Sequence, residues 1–202
     1  MSDKESDKLG RVLALVLRHA PEKFDVEMDI NGWVDISTLC DGIKSQRRDF
    51  HWLRPWHFEA VTITEEKGRY EVQGARVRAT YGHSIEIEID LPTDDIPEVL
   101  FYPVTPEEID DVIKLGIKGG DRRHVHLSKS VAKAYEAGSV RIKSPSIVEV
   151  DAVRAIADGI DIYRAGKLVF LTEEVPPQYL YKVSADDPEL LEVLENLAQE
   201  EE

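Results

Sequence analysis

The chain has 202 residues, of which 42% are hydrophobic and 32% charged, a composition that fits a globular protein with a sizeable core and excludes a disordered chain. Its net charge of −15 argues against a general nucleic-acid-binding protein, but eight of the carboxylates lie in residues 184–202, which leaves −7 for residues 1–183. No apolar run is long enough to cross a membrane, the charged amino terminus does not resemble a signal peptide, and the single cysteine, Cys40, fits a reducing compartment. We therefore expect a cytoplasmic protein without a membrane segment.

The first 92 residues predict helices followed by a small hairpin. Apolar residues recur at helical spacing over residues 9–19, and Pro21 ends that helix. The elements expected next are a turn at Asn31-Gly32, a short strand at Trp33-Val34, a helix capped by Asp35 or Ser37 that runs through Leu39, a helix over residues 47–66, and strands over residues 68–89 around a turn at Gly74. This order is typical of a winged-helix-like module.

Residues 91–100 contain two prolines and two aspartates and predict the boundary to a second domain. Many short strands with few helices beyond it predict an α+β fold. The expected elements are strands at Val99–Pro103, His124–Ser128, Val140–Ile142, Ile147–Val150, Ile160–Arg164 and Leu168–Leu171, helices at Pro106–Leu115 and Ser130–Ala137, and an exposed amphipathic acidic helix from Pro188.

Arginines and histidines carry the candidate chemistry, because no phosphate-binding loop, dinucleotide-binding glycine motif or C-x-x-C pair occurs in the sequence. Arg18 and His19 end the first helix, where they either hold an anion or bond the last carbonyls of the helix. Arg76 and Arg78 share one face of a strand. A guanidinium matches the oxygens of a phosphate, although a solvated strand face has the same pattern.

A second polar group lies in the later half of the chain. Arg122 and Arg123 favour anion binding, and His124 and His126 are spaced to share one face of a strand. These histidines are either hydrogen-bonded strand residues or, less favoured, two zinc ligands that would need a third from elsewhere, such as His83. Arg141 is a further candidate at the start of a strand.

The order and spacing of these motifs are specific, and they extend from about Leu9 to Val183. The motifs are LRH at 17–19, NGWVDISTL at 31–39, KGRY at 67–70, VRATYGHS at 77–84, RRHVHLS at 122–128, VEVDA at 148–152 and VFLTEEVPPQYL at 169–180. Together they resemble the RNA 2'-phosphotransferase family, NAD-dependent transferases that remove an internal 2'-phosphate from RNA.

The resemblance implies both an architecture and a site. It implies a winged-helix-like RNA lobe over residues 1–92, an ADP-ribosyltransferase-like NAD lobe over residues 93–183 and an acidic tail over residues 184–202. The catalytic set of the family falls on Arg18, His19, Arg78 and Arg122, since Arg122 fits the Arg-x-His-Val-His spacing. The weaker matches, expected to contact NAD, are Thr105, His124, His126, Ser128 and Arg141. No metal is implied.

The implied reaction has two steps. The RNA 2'-phosphate attacks the nicotinamide ribose of NAD, forming an ADP-ribosylated 2'-phosphate, and the ribose 2''-hydroxyl then attacks the phosphorus. The products are RNA with a free 2'-hydroxyl, ADP-ribose 1'',2''-cyclic phosphate and nicotinamide, and a spliced tRNA is one substrate that the family suggests. Two alternatives stay open: an ADP-ribosyltransferase that modifies another nucleic-acid phosphate or a protein, and a non-catalytic winged-helix protein that binds nucleic acid.

Two stretches depart from the family pattern, and both fall in the NAD lobe. Tyr102-Pro103-Val104-Thr105 stands where the family usually has His-Gly-Thr, so an imidazole is replaced and Pro103 lacks an N–H donor. Arg164-Ala165-Gly166-Lys167 stands where a Ser-x-Asn-Gly turn is more usual. These changes concern the contacts to NAD more than those to the phosphate.

Overall fold

A computed structural model describes residues 1–65, 67–120 and 123–200. These residues form seven α-helices and eleven strands, a mixed α/β structure compatible with the predicted α+β class. They divide into two compact units. The first contains the described residues up to Pro92 together with Arg123 and Ala165–Lys167, and the second contains the rest of the described chain. None of the helices in the described ranges combines the length and the apolar composition that a bilayer crossing requires.

The first unit consists of three helices and a small antiparallel sheet. Its elements are α1 (Asp3–Arg18), β1 (Val34–Asp35), α2 (Ile36–Gln46), α3 (Trp56–Thr64), β2 (Tyr70–Gln73) and β3 (Arg76–Ala79), with single 3-10 turns at Pro21–Phe24 and Arg48–Phe50. The strands lie in the order β1-β3-β2. Helix α1 begins in a capping box, in which Ser2 and Glu5 satisfy each other's backbone N–H groups.

The apolar pattern of α1 determines how this unit packs. The five apolar residues that predicted the helix are all buried: Leu9, Val12, Leu13, Val16 and Leu17. They join one core with residues of α2, α3 and the sheet, including Leu39, Phe58 and Val77. Because that face is fixed in the core, the last residue of the helix, Arg18, has a defined position in the unit.

Two predictions for this unit are wrong in part. Residues 47–66 do not form one helix, because Pro55 disfavours helical backbone at the residue before it, and α3 begins only at Trp56. Residues 83–89 keep the alternating burial of a strand but lie outside the sheet. Their backbone bonds to the end of α1 and to the turn before β1: the Ser84 N–H donates to the Arg18 carbonyl at 2.9 Å, and the Glu88 N–H donates to the Ile30 carbonyl at 2.8 Å.

The second unit is built on a six-stranded sheet in the order β11-β7-β4-β6-β9-β8. Its elements in chain order are β4 (Val99–Val104), α4 (Ile109–Leu115), β5 (Ile117–Lys118), β6 (Val125–Ser128), α5 (Val131–Ser139), β7 (Ser146–Asp151), α6 (Ala152–Ala157), β8 (Tyr163–Ala165), β9 (Val169–Thr172), β10 (Glu174–Val175), β11 (Leu180–Lys182) and α7 (Pro188–Glu200). Strands β5 and β10 form a separate antiparallel pair.

Successive residues of the central strands enter two different cores, since they point to opposite faces of the sheet. Leu100 of β4 packs with residues of α4 and α6. Its neighbour Phe101 packs with α5 and with the apolar side of α7. The acidic helix is therefore half covered, and its Glu189 also accepts a hydrogen bond from the Ala132 N–H at 3.0 Å.

The strand predicted at Val140–Ile142 is wrong. The Gly138 carbonyl accepts hydrogen bonds from the N–H groups of both Arg141 and Ile142 at 3.0 Å, which closes a turn directly after α5. A Cβ at Gly138 would lie 2.6 Å from Pro103, so glycine permits the close packing that starts this turn. Arg141 therefore lies in an exposed turn and not at a strand start.

Replacing Asp35 with alanine removes the cap of α2. The Thr38 N–H donates to Asp35 Oδ1 at 2.9 Å, and this hydrogen bond lowers the pKa of the carboxyl. We expect Asp35→Ala to lower the free energy of unfolding at neutral pH by about 1 kcal/mol, measured from the urea midpoint at constant m-value. Because the folded pKa is the lower one, the stabilisation is present above the unfolded pKa and is lost as the pH falls through the folded value.

Asp35→Asn is the matched control. An asparagine caps about as well as aspartate but does not titrate, so this variant should remain close to wild type at neutral pH and lose the acid dependence. Equal midpoints for wild type and Asp35→Ala at neutral pH would contradict the assignment of this cap.

Candidate active site

Arg18 and His19 form the carboxyl-terminal end of α1. Arg18 is the last helical residue, and His19 is the C-cap, whose N–H donates to the Leu15 carbonyl. Ser84 contacts both residues: its N–H donates to the Arg18 carbonyl at 2.9 Å, and its Oγ lies 2.9 Å from His19 Nδ1. The negative end of the helix dipole favours a protonated histidine at this position.

Aromatic rings and a glycine surround the guanidinium of Arg18. Its Cζ lies 5.6 Å from the ring centroid of Tyr70 and 5.1 Å from that of Tyr81. Burial raises the pKa of both tyrosines, so their rings stay neutral next to the cation. Gly82 has φ +87°, and a Cβ there would lie 3.2 Å from Arg18 Nη1. The backbone therefore approaches the guanidinium as closely as only glycine allows.

Arg78 is a buried cation, with only 6% of its surface exposed. Glu71 accepts from Nε at 2.9 Å and from Nη2 at 2.8 Å. Asp90 and the Asn31 carbonyl accept from Nη1, the latter at 3.4 Å. The guanidinium also lies 4.3 Å above the ring centroid of Trp33. Burial of this charge is tolerated because carboxylates and an aromatic face replace the lost water.

Arg76 lies on the same face of β3, as the alternation predicted. Its Cζ is 5.2 Å from the ring centroid of Trp33, and its Nη1 is 3.5 Å from Asp29. About half of its side chain is exposed, whereas that of Arg78 is enclosed. The interpretation of this face as merely solvated therefore holds for Arg76 and fails for Arg78.

The linker of residues 84–90 connects the two cationic positions. Ser84 contacts Arg18 and His19 at its start, and Asp90 contacts Arg78 at its end. Between them Glu86 lies 3.5 Å from Arg123, so two carboxylates of the linker contact arginines. Arg18, His19 and Arg78 therefore all lie in the first unit, at the two ends of one linker. Arg122, the fourth predicted catalytic residue, lies outside the described residues.

The predicted NAD-contacting residues belong to the second unit. Val125 and Leu127 of β6 enter the core, so His126 and Ser128 share the opposite face of the strand. The Nδ1 of His126 lies 2.9 Å from the His124 carbonyl, and Ser128 is buried. His124 itself precedes β6, which begins at Val125.

Thr105 and Arg141 occupy turns of the second unit. The Thr105 hydroxyl donates to Glu108 Oε2 at 2.7 Å in the turn that leads into α4. Arg141 lies exposed in the turn after α5. No group of three or more histidine, cysteine, aspartate or glutamate side chains suited to a metal ion occurs in the part of the chain that the structure describes.

Sequence reasoning missed the residues that surround the cations. The sequence pattern places Trp33 only in a strand, and it does not mark Glu71 or Asp90 as a partner of Arg78. The available signal was the run of alternating carboxylates in residues 86–90, directly after an arginine-rich strand. Carboxylates that alternate along one strand-like segment, next in the chain to alternating arginines, predict ion pairs between the linker and those arginines.

Comparison with known proteins identifies the family of this chain. The sequence profile of the RNA 2'-phosphotransferase, Tpt1/KptA family matches residues 4–174. The chain is 41% identical over 183 residues to a probable RNA 2'-phosphotransferase of Methanosarcina acetivorans, covering 91% of this chain and 86% of the relative. It is 39% identical over 174 residues to a probable RNA 2'-phosphotransferase of Archaeoglobus fulgidus, covering 86% and 79% of the two chains.

A bacterial relative extends the similarity over almost its whole length. The chain is 35% identical over 180 residues to a probable RNA 2'-phosphotransferase of Hahella chejuensis, covering 88% of this chain and 95% of that protein. The matches span both compact units and include the motifs around Arg18, Arg78 and His126. The chain therefore belongs to the RNA 2'-phosphotransferase, Tpt1/KptA family.

Proposed function

We propose that this chain is an NAD-dependent RNA 2'-phosphotransferase that removes an internal 2'-phosphate from RNA, such as the phosphate that splicing leaves on a tRNA. Family membership supports the transfer of an RNA 2'-phosphate. The observation that carries the proposal is that one linker, residues 84–90, contacts Arg18 and His19 at its start and the buried guanidinium of Arg78 at its end. Fixed cations suit a reaction in which a phosphate must be held while its bonds change.

NAD enters this proposal as the second substrate. It supplies the ribose carbon that the RNA 2'-phosphate attacks as nicotinamide leaves, and the 2''-hydroxyl that attacks the phosphorus and releases the RNA 2'-hydroxyl. In the same proposal, residues 1–92 form a winged-helix-like lobe that binds RNA, and residues 93–183 form an ADP-ribosyltransferase-like lobe that binds NAD. His126, Ser128 and Arg141 offer imidazole, hydroxyl and guanidinium groups, which are chemically suited to ribose hydroxyls and a pyrophosphate. The Thr105 hydroxyl already donates to Glu108 and is the weaker candidate.

Arg18 and His19 act in this proposal as the first phosphate contacts. The guanidinium of Arg18 is held between two aromatic rings and a glycine, so little rearrangement is needed when an anion arrives. The Ser84 hydroxyl next to Nδ1 holds the imidazole of His19 in a defined orientation. A cationic His19 would stabilise charge on the phosphate during the second step.

Arg78 requires an exchange of partners before it can hold a phosphate. Glu71 occupies Nε and Nη2, and Asp90 occupies Nη1, so a bidentate phosphate contact must replace one of the carboxylates. Asp90 is the carboxylate to be replaced, since it belongs to the linker and not to the sheet. Glu71 then keeps the guanidinium oriented from the neighbouring strand, where it is the direct cross-strand partner of Arg78.

The central prediction is that loss of the 2'-phosphate depends on NAD. A short RNA with one internal 2'-phosphate is incubated with the protein, with and without NAD, and the products are identified by mass spectrometry. We expect 2'-hydroxyl RNA, nicotinamide and ADP-ribose cyclic phosphate only when NAD is present. Arg18→Ala should lower kcat/KM by at least about tenfold through loss of a charge-assisted contact, whereas Lys133→Ala in the second unit should not.

Two results would contradict this function. Phosphate release without NAD would exclude the two-step mechanism. Accumulation of ADP-ribosylated RNA that never loses the phosphate would favour an ADP-ribosyltransferase.

A second prediction concerns the exchange at Arg78. Asp90→Asn removes the charge that competes with the phosphate for Nη1, so we expect a KM for 2'-phosphorylated RNA lower by about tenfold at saturating NAD. Glu88→Gln is the matched control on the same linker, because the backbone of Glu88, and not its side chain, holds the turn at Ile30 and Asn31. A raised KM in Asp90→Asn would show instead that Asp90 holds Arg78 in place for catalysis.

A third prediction separates the two adjacent arginines of the later motif. Arg122→Ala should reduce turnover more than Arg123→Ala, because Arg122 matches the spacing of the family motif and Arg123 lies 3.5 Å from Glu86. Steady-state rates of both variants on the same phosphorylated RNA provide the measurement. The reverse order would place the motif one residue out of register.

A further inference from the structure

The segment from the end of α2 to the start of α3 is rich in positive charge and aromatic rings, although the protein as a whole is acidic. Residues 44–57 contain four lysines and arginines, two histidines, two of the three tryptophans and only one carboxylate, whereas the whole chain carries −15. None of the motifs that define the family site includes this segment. Basic groups interleaved with aromatic rings are the combination that binds single-stranded nucleic acid.

The rings of this segment form a supported cluster. Phe50 and Trp52 have ring centroids 5.7 Å apart, Trp52 meets His57 edge-on at 5.1 Å, and His57 lies 5.5 Å from Trp56. Burial lowers the pKa of His57, whose Nδ1 accepts from the Arg54 N–H at 3.0 Å. Trp56 lies at the edge of this cluster. Its indole contacts the ring of His57, and 63% of the residue is exposed to solvent.

The cations of the segment differ in what they contact. Arg47 lies 3.3 Å from Asp49, which Lys8 of α1 also contacts. Arg54 donates from Nη1 to the carbonyls of His51 and Leu53, at 3.0 and 2.7 Å, so its guanidinium is oriented without a carboxylate. Within the described residues no ion pair is formed by Arg48 or Arg54. Both guanidiniums are exposed, and no carboxylate of the described chain neutralises their charge, so they can contact an external anion.

We propose that Arg48, His51, Arg54 and Trp56 form a binding surface for a single-stranded stretch of RNA, here called the aromatic-basic surface. One base stacks on the indole of Trp56, and the guanidiniums of Arg48 and Arg54 contact backbone phosphates. The proposal rests on the proposed function, because it assigns this surface to the RNA that carries the 2'-phosphate. It adds a contact for nucleotides away from the reacting phosphate.

The position of the surface on the first unit agrees with this role. The ion pair between Lys8 and Asp49 ties the segment to the second turn of α1, whose last residue is Arg18. Ten residues of helix span about 15 Å, which is roughly four nucleotides at the rise of a stacked strand.

Direct binding measurements test the surface without requiring catalysis. The full-length chain is titrated with a fluorescent decauridylate that carries no 2'-phosphate, in the absence of NAD, and anisotropy is recorded over a range of salt. We expect Trp56→Ala to weaken binding about tenfold, with Trp56→Phe intermediate, since a base can still stack on the smaller ring. Arg48→Gln should lower the slope of log K against log salt by about 0.7, the value for one lost phosphate contact on a single strand.

Two exposed residues provide matched controls. Ile63→Ala removes an apolar side chain that is 79% exposed on the same helix as Trp56, and Lys118→Gln removes one positive charge from the second unit. Neither should change the affinity or the salt slope beyond error. Thermal midpoints of all variants are compared, so that a loss of binding is not confused with unfolding.

The outcomes separate this inference from the proposed function. Equal affinities of wild type and Trp56→Ala, or equal losses in the controls, would overturn the surface even if the NAD-dependent reaction is found. An unaltered salt slope in Arg48→Gln would remove Arg48 from it. If Trp56→Ala changed only self-association in sedimentation experiments, the surface would be a protein interface. Binding lost as expected would support the surface even if the 2'-phosphate were stable.

Discussion

The buried guanidinium of Arg78 is the constraint on which the first unit depends. A cation removed from water is stable only if charge and hydrogen-bond acceptors replace the solvent. Here Glu71 from β2, Asp90 from the linker, the Asn31 carbonyl and the ring of Trp33 supply them. One side chain thereby joins the hairpin, the turn before β1 and the linker that leads out of the unit. In the proposed reaction the same guanidinium contacts the phosphate. The hydrogen bonds that stabilise the fold around Arg78 therefore also determine how it binds the phosphate.

The distribution of charge reconciles an acidic chain with an RNA substrate. A net charge of −15 repels a polyanion at a distance, so recognition must come from local clusters of cations. The first unit contains two such clusters, one at the end of α1 and β3 and one on the aromatic-basic surface. The carboxylates of residues 84–90 lie across the first cluster and lower its attraction for anions in general. A phosphate that makes several contacts at once can displace them, which favours a specific ligand over bulk nucleic acid.

Local pattern was sufficient for some elements and insufficient for others. The five apolar residues of α1 and the cap at Asp35 were predicted because each depends on residues within one or two turns. The break of the predicted helix at Pro55 and the turn at Arg141 depend on proline geometry and on close packing at Gly138, which periodicity does not report. At the site, the motifs located Arg18, His19 and Arg78, yet the partners of Arg78 come from segments up to 47 residues away. Contacts of that range depend on how the elements pack.

The confinement of Arg18 by Gly82, Tyr70 and Tyr81 has a consequence for the entropy of binding. A free arginine side chain samples many rotamers, and fixing one costs up to about 2 kcal/mol. In this protein that loss accompanies folding, when the rings and the glycine backbone close around the guanidinium. In the proposed reaction the phosphate therefore meets a donor whose torsions are already restricted, and more of the interaction energy remains as affinity.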